Sequence, residues 1–117
     1  MQGARVVVND IDQDAANATA TTIRKRGGTV AMLAGDISSW SFAEALVDFC
    51  VKEFGTLDGL VNNAALFRMA LPAEETERDF RRIVEVNILG TAYCGIHAIR
   101  QMMRQGSGSL VNIAAST

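Results

Sequence analysis

The stretch Leu57-Asp58-Gly59-Leu60-Val61-Asn62-Asn63-Ala64-Ala65 decides how this chain folds. A short apolar run that stops abruptly in a pair of amides reads as a buried strand ending at a polar site. In an open α/β sheet the ligand crevice lies outside the carboxyl ends of the strands. A strand over Gly59 to Val61 therefore carries Asn62 and Asn63 to a pocket.

The same alternation repeats on both sides. Upstream, Ala4 to Val8 is a small, β-branched run that turns polar at Asn9-Asp10, and continuous apolarity predicts a strand buried on both faces. Asp12 can cap a helix running to about Arg26, with basic residues in its last turn and Gly27-Gly28 as its stop. Thr29 to Leu33 predicts a second strand, and Gly35-Asp36-Ile37 a loop, so an acid again follows a strand's end. A helix starts at Ser39 or Ser41; Ser41 with Glu44 has capping-box spacing, and Phe42, Leu46, Phe49, Cys50 and Phe54 form an apolar stripe that Gly55 ends.

Downstream, Leu66 to Pro72 is irregular and suits the rim of a site. A helical pattern then runs from about Glu75 to Gln105, and between Val84 and Met103 it is apolar on most sides. One sheet cannot cover that much surface, which predicts a partner subunit or further chain over the rest. Gly106-Ser107-Gly108 breaks the helix, and Ser109 to Ile113 is a last strand. Strand and helix alternating with short turns demand a parallel sheet with right-handed crossovers, and 117 residues fit one domain spanning 1–117.

Composition narrows the function classes. With 49% hydrophobic and 21% charged residues the chain lies in the globular regime, not the disordered one. A formal charge of −2 gives no footprint for nucleic acid, and Arg24-Lys25-Arg26 suits the dipole at a helix end. Cys50 and Cys94 sit in apolar helical settings without metal-like spacing, so neither a disulfide nor a metal site is expected. No apolar run reaches the roughly 18 residues needed to span a bilayer and no signal-peptide layout opens the chain, which together predict a cytoplasmic protein. His97 is a lone helical histidine with no role assigned, and Trp40 and Met102-Met103 read as packing residues.

On these residues the chain resembles the short-chain dehydrogenase/reductase family along essentially its whole length. The resemblance implies a partial Rossmann-type, doubly wound parallel sheet in three α/β/α layers, and hydride transfer between a nicotinamide cofactor and an alcohol or carbonyl. Asn62-Asn63-Ala64-Ala65 is similar to the family's Asn-Asn-Ala-Gly signature, with Ala65 in place of glycine, so Asn63, Ala64 and Ala65 are expected beside the cofactor. Alanine is tolerable there if φ is negative and damaging if φ must be positive. Asp10 matches the acid that accepts from the adenosine ribose hydroxyls, which favours NAD over NADP. Asp36-Ile37 matches the acid-aliphatic pair beside the adenine, the carboxylate accepting from the exocyclic amine and the Ile37 side chain and backbone flanking the ring. Asn87 matches the helix asparagine that helps orient the family's lysine through water. Ser116 is the counterpart of the serine that binds the substrate oxygen, although the spacing from Asn112-Ile113 falls on Ala115.

Two family features have no counterpart. No glycine-rich turn stands before Arg5 to hold a pyrophosphate, and no tyrosine-lysine pair follows Ser116; Tyr93 is followed by His97 at that spacing. The sequence therefore reads as an internal piece of such an enzyme, inactive by itself. The family's first strand would lie between the Val6 and Val61 strands, so its lack predicts either direct pairing of those two strands or a cleft between them. Two other functions remain open: a non-catalytic nucleotide-binding module, and an oligomerisation module that uses the helix of residues 84–103.

Overall fold

A computed structural model describes residues 3–66 and 71–113. In chain order the elements are β1 (Arg5–Val8), α1 (Gln13–Lys25), β2 (Thr29–Met32), α2 (Trp40–Phe54), β3 (Gly59–Asn62), α3 (Glu77–Val84), α4 (Thr91–Gln105) and β4 (Ser109–Asn112). A 3-10 turn, Pro72–Glu74, precedes α3, and a π-helical segment, Glu85–Gly90, joins α3 to α4.

The helix ends follow from local chemistry. Asp12 caps α1 by accepting from the amides of Asp14 and Ala15, while Gly27, at φ 80°, closes its other end. For α2 the cap is Ser39, whose hydroxyl accepts from the Phe42 amide; Ser41 only shares a hydrogen bond with Ser39. Gly55 and Gly106 end α2 and α4 in the left-handed conformation. The long pattern from Glu75 to Gln105 is not one α-helix. Thr76 caps α3 by accepting from the Asp79 amide, and the ladder widens over Glu85–Gly90 before α4 resumes. The apolar spacing of that region fits α and π turns alike, so the pattern carried no sign of the change.

Both strand pairs are parallel. β1 pairs with β2 in the register Val6↔Val30, and β3 with β4 in the register Val61↔Val111. These are separate two-stranded sheets, and among the described residues no ladder joins β1 to β3, so direct pairing of those strands is not the outcome. α1 lies on the first sheet through its buried alanines Ala16 and Ala20, close packing that larger side chains would prevent. α2 and α4 pack together and α4 covers β3. Between them lie one cluster of Val47, Leu57, Ala98 and Met102 and another of Ile37, Ala43 and Cys94, with Leu60 touching both.

One polar contact fixes the start of β3. The Gln105 side chain accepts from the Leu57 amide at 2.9 Å and donates to the Leu57 carbonyl at 2.9 Å, so one amide satisfies both backbone groups of a buried residue. Gln105→Ala leaves that pair without its partner. An unsatisfied buried donor or acceptor costs about 1–3 kcal/mol, and a loss of about 2–3 kcal/mol in urea unfolding is the expected result. A change below about 0.5 kcal/mol, the range of ordinary surface substitutions, would show that the clamp is dispensable.

Candidate functional site

The polar residues that follow β1, β2 and β3 are held by hydrogen bonds that form a chain. After β1, Asn9 donates to the carbonyls of Leu33 (2.9 Å) and Gly35 (3.2 Å), and the Asp10 carbonyl accepts from the Gly35 amide at 3.0 Å. The loops carrying Asp10 and Asp36 are thus fastened together at the carboxyl ends of parallel strands. The Asp10 carboxylate accepts from the Asp12 amide at 2.9 Å through Oδ1, an Asx turn that leaves Oδ2 available.

After β2, Asp36 is the centre of a polar ring. Its Oδ1 accepts from the Ser38 amide (2.9 Å) and hydroxyl (2.7 Å), and its Oδ2 accepts from Arg82 Nη2 (2.8 Å). Arg82 Nη1 donates to Ser38 Oγ at 2.9 Å and lies 3.4 Å from Glu85 Oε2. Burial alone raises the Asp36 pKa, but the Ser38 hydroxyl and amide and the Arg82 guanidinium outweigh it and hold the group below its ordinary value. Ile37 departs from the sequence expectation. Its side chain is buried against Gly90, where an added Cβ would stand 2.8 Å from Ile37 Cδ1, so only its backbone is left to flank a ligand.

After β3 the two adjacent amides divide. Asn62 is buried and donates to Asn112 Oδ1 (2.9 Å) and the Thr91 carbonyl (3.4 Å), which locks β3 to β4 and to the start of α4. Its Nδ2 is committed to these two contacts within the fold. Asn63, Ala64 and Ala65 follow as exposed backbone, with no hydrogen bond from the Asn63 side chain among the described residues. No described non-glycine residue has a positive φ, so Ala65 stands in the glycine position without backbone strain. At the next residue the chain is clamped again: Asn87 Oδ1 accepts from the Leu66 amide at 2.7 Å and Asn87 Nδ2 donates to the Leu66 carbonyl at 2.9 Å. Asn87 lies inside the π segment, where an asparagine is least costly to the helix because its side chain works elsewhere.

Arg82 and Asn87 belong to one continuous segment, and through them the loop after β2 is joined to the loop after β3. Asp10, Asp36 and the Asn63 to Ala65 backbone are thereby brought into one connected set. Ser116 lies outside the described residues. Sequence patterns gave no side-chain role to Asn9, Ser38, Arg82 or Gln105. Each acts on a partner distant in sequence or through a turn, and no periodicity encodes such partners.

The remaining reactive side chains are built into packing. Tyr93 and His97 both rest on Trp40, with ring centroids at 5.2 and 4.3 Å, and His97 is buried. Burial pushes the Cys94 thiol up to about 11 and, with the Asp58 charge, raises that of Cys50, so neither is a thiolate nucleophile at neutral pH.

A family model described as short chain dehydrogenase matches residues 1–117. The chain is 36% identical over 114 residues to an uncharacterized oxidoreductase of Thermotoga maritima, covering 97% of this chain and 45% of that protein. It is 35% identical to the cis-4-hydroxycyclohexanecarboxylate dehydrogenase of Sinomonas cyclohexanicum, over 97% of this chain and 46% of that one. A crystal structure of a short chain dehydrogenase from Mycobacterium avium superposes with a TM-score of 0.85 at 31% identity, over 95% of this chain and 45% of its own. The chain therefore spans about half the length of the curated relatives it matches.

The Asn87 clamp has a local readout. In Asn87→Ala, amide hydrogen exchange at Leu66 should quicken about tenfold or more, as loss of a hydrogen bond worth about 1–1.5 kcal/mol implies, while amides in the middle of α4 keep their protection. Unchanged exchange at Leu66 would mean that the loop holds its place without Asn87.

Proposed function

The chain belongs to the short-chain dehydrogenase/reductase family, and from that premise we propose that the protein it serves moves a hydride between NAD(H) and a small alcohol or carbonyl compound. The observation that carries the proposal is the hydrogen-bonded chain joining Asp10, Asp36 and the loop after β3.

The donor set fits the adenosine half of a nicotinamide dinucleotide. Asp10 offers carboxylate lone pairs suited to ribose hydroxyls, and Asp36 offers an acceptor suited to an exocyclic amine, with the Ile37 backbone beside it. Asp12 and Asp14 stand next to Asp10 at the start of α1, so a phosphate on the ribose would meet several negative charges. That favours NAD over NADP. The exposed backbone from Asn63 to Ala65 is where the rest of the cofactor would run, and Asn87 holds that backbone in place. When bound, the cofactor supplies the hydride acceptor or donor.

Proton transfer at the substrate oxygen needs a group of matched pKa within hydrogen-bond reach. Tyr93 and His97 are packed on Trp40 and do not serve. Ser116 is assigned to the substrate oxygen and Asn87 to positioning. The chain by itself is therefore expected to bind the cofactor's adenosine end without turnover. Reading it as a nucleotide-binding module alone has no specific observation in its favour.

Ile88, Ile96, Ile99 and Met103 form an exposed apolar stripe at helical intervals along the π segment and α4. A second copy of the chain is the proposed cover in the assembled protein. Ile99→Glu should then shift the sedimenting species toward the monomer; a wild-type chain that is monomeric at every concentration would exclude this contact.

The cofactor assignment is tested by titrating the chain with NAD and NADP while following backbone amide shifts. Saturable shifts at Asp10, Asp36 and Asn63 are expected with NAD, NADP binding about tenfold or more weakly, and Asp10→Asn should narrow the difference. Equal binding of the two would remove the role given to Asp10. Steady carbonyl reduction by the purified chain at about 1 s⁻¹ or faster, an ordinary enzymatic rate, would contradict the reading that the chain by itself binds without turnover.

A further inference from the structure

Asp36 is built as an acceptor with one vacancy. A carboxylate oxygen accepts about two hydrogen bonds, and Oδ1 already takes both from Ser38, at 2.9 and 2.7 Å. Oδ2 takes one, from Arg82 Nη2 at 2.8 Å. One lone pair therefore remains, on a side chain that is 36% exposed. The guanidinium is held in turn. Nη1 donates to Ser38 Oγ, the same hydroxyl that donates to Asp36 Oδ1, so Asp36, Ser38 and Arg82 close a ring, and Glu85 braces the outer side. Rotation of the carboxylate about its terminal torsion breaks bonds on both sides of that ring.

We propose that Arg82 is a positioning residue for base recognition: it fixes Asp36 so that the free lone pair of Oδ2 selects a purine carrying an exocyclic amine over one carrying a carbonyl at the same place. This rests on the reading that the loop after β2 takes the adenosine end of the cofactor. Recognition depends on two properties. The acceptor must point in a fixed direction, which the ring supplies. It must also never become a donor, because a protonated Asp36 would bond a carbonyl as readily as an unprotonated one bonds an amine. The guanidinium and the Ser38 donors favour the ionised form, in keeping with a group held below its ordinary pKa. A site whose polar groups match one ligand is left with unpaired groups by the other, and discrimination of that kind exceeds what an apolar contact achieves.

A purely structural role, tying α3 to the loop after β2, makes a different forecast. Loosening the loop would weaken every nucleoside alike and leave the ratio between them unchanged. The test is to titrate the wild-type chain, Arg82→Gln, Arg82→Lys and Ser38→Ala with adenosine and with inosine, following amide shifts around Asp36. In the wild type adenosine should bind about tenfold or more tightly than inosine, the discrimination expected of one charge-assisted hydrogen bond. Arg82→Gln should bring the ratio down at least about threefold through weaker adenosine binding, and Arg82→Lys should restore only part of it, since a charge near Oδ2 is retained but one ammonium cannot replace the fork that also bonds Ser38. Ser38→Ala opens the opposite side of the ring and should move the ratio in the same direction, which keeps the test decisive if Arg82→Gln is poorly folded. A ratio unmoved in Arg82→Gln and Ser38→Ala, with wild-type preference intact, overturns the role of Arg82 and leaves the adenosine site standing. No saturable adenosine binding by the wild type overturns both.

Discussion

β3 is anchored at both ends by amide side chains from one helical run, and the placement of the site depends on that constraint. Gln105 at the end of α4 grips both backbone groups of Leu57 just before the strand, and Asn87 in the π segment grips both backbone groups of Leu66 just after the exposed loop. A primary amide suits this task because it carries a donor and an acceptor side by side, matching the N–H and C=O of one residue. With its entry and exit fixed to the same helix, β3 cannot slide against α4. The Asn62 bond to Asn112 then fixes β4 to it as well.

The π segment makes both clamps compatible with one core. A π turn closes on i→i+5 bonds and so shifts the phase of the helix that follows it. Before the shift, Arg82 reaches Asp36; within it, Asn87 reaches Leu66 and Gly90 meets Ile37; after it, Cys94, Ala98 and Met102 form the buried stripe against α2. Gly90 has a particular part, since any Cβ there would press on the Ile37 side chain at 2.8 Å. Burying Ile37 in this way draws the loop after β2 toward the helix and brings the neighbouring carboxylate of Asp36 within reach of Arg82.

Much of this was legible in the sequence, for reasons tied to individual residues. The limits of the strands, of α1 and α2, and the end of α4 came within a residue or so because the signals were local: Asp12 and the glycines Gly27, Gly55 and Gly106 act on groups a few positions away. The ends of β1, just before Asn9-Asp10, and of β3, at Asn62, were marked by abrupt changes of polarity. The pairs that hold the site together were not legible, because each joins positions far apart. Arg82 reads as one more exposed cation on a mixed-charge helix until Asp36 is beside it, and Gln105 reads as the polar end of a helix until Leu57 is beneath it. The π segment escaped notice because its residues suit either helix type. The fate of Ile37 turned on a single glycine in another element.

The neighbouring amides of the opening stretch show how one short sequence serves two ends. Asn62 alternates inward on β3, so its side chain falls in the core, where an unpaired donor would be costly; Asn112 and Thr91 accept from its Nδ2, and its work is to tie β3 to β4 and α4. Asn63 is one position further on, just past the end of the strand, where it is exposed and its side chain makes no hydrogen bond among the described residues. A polar side chain locked in the core can add nothing to a ligand, and one left free can. Of the pair, Asn63 is therefore the one on which the proposed cofactor site draws, with Ala64 and Ala65 beside it as exposed residues. The absence of a positive φ in that backbone explains why alanine serves at position 65 where a glycine is the family's usual choice.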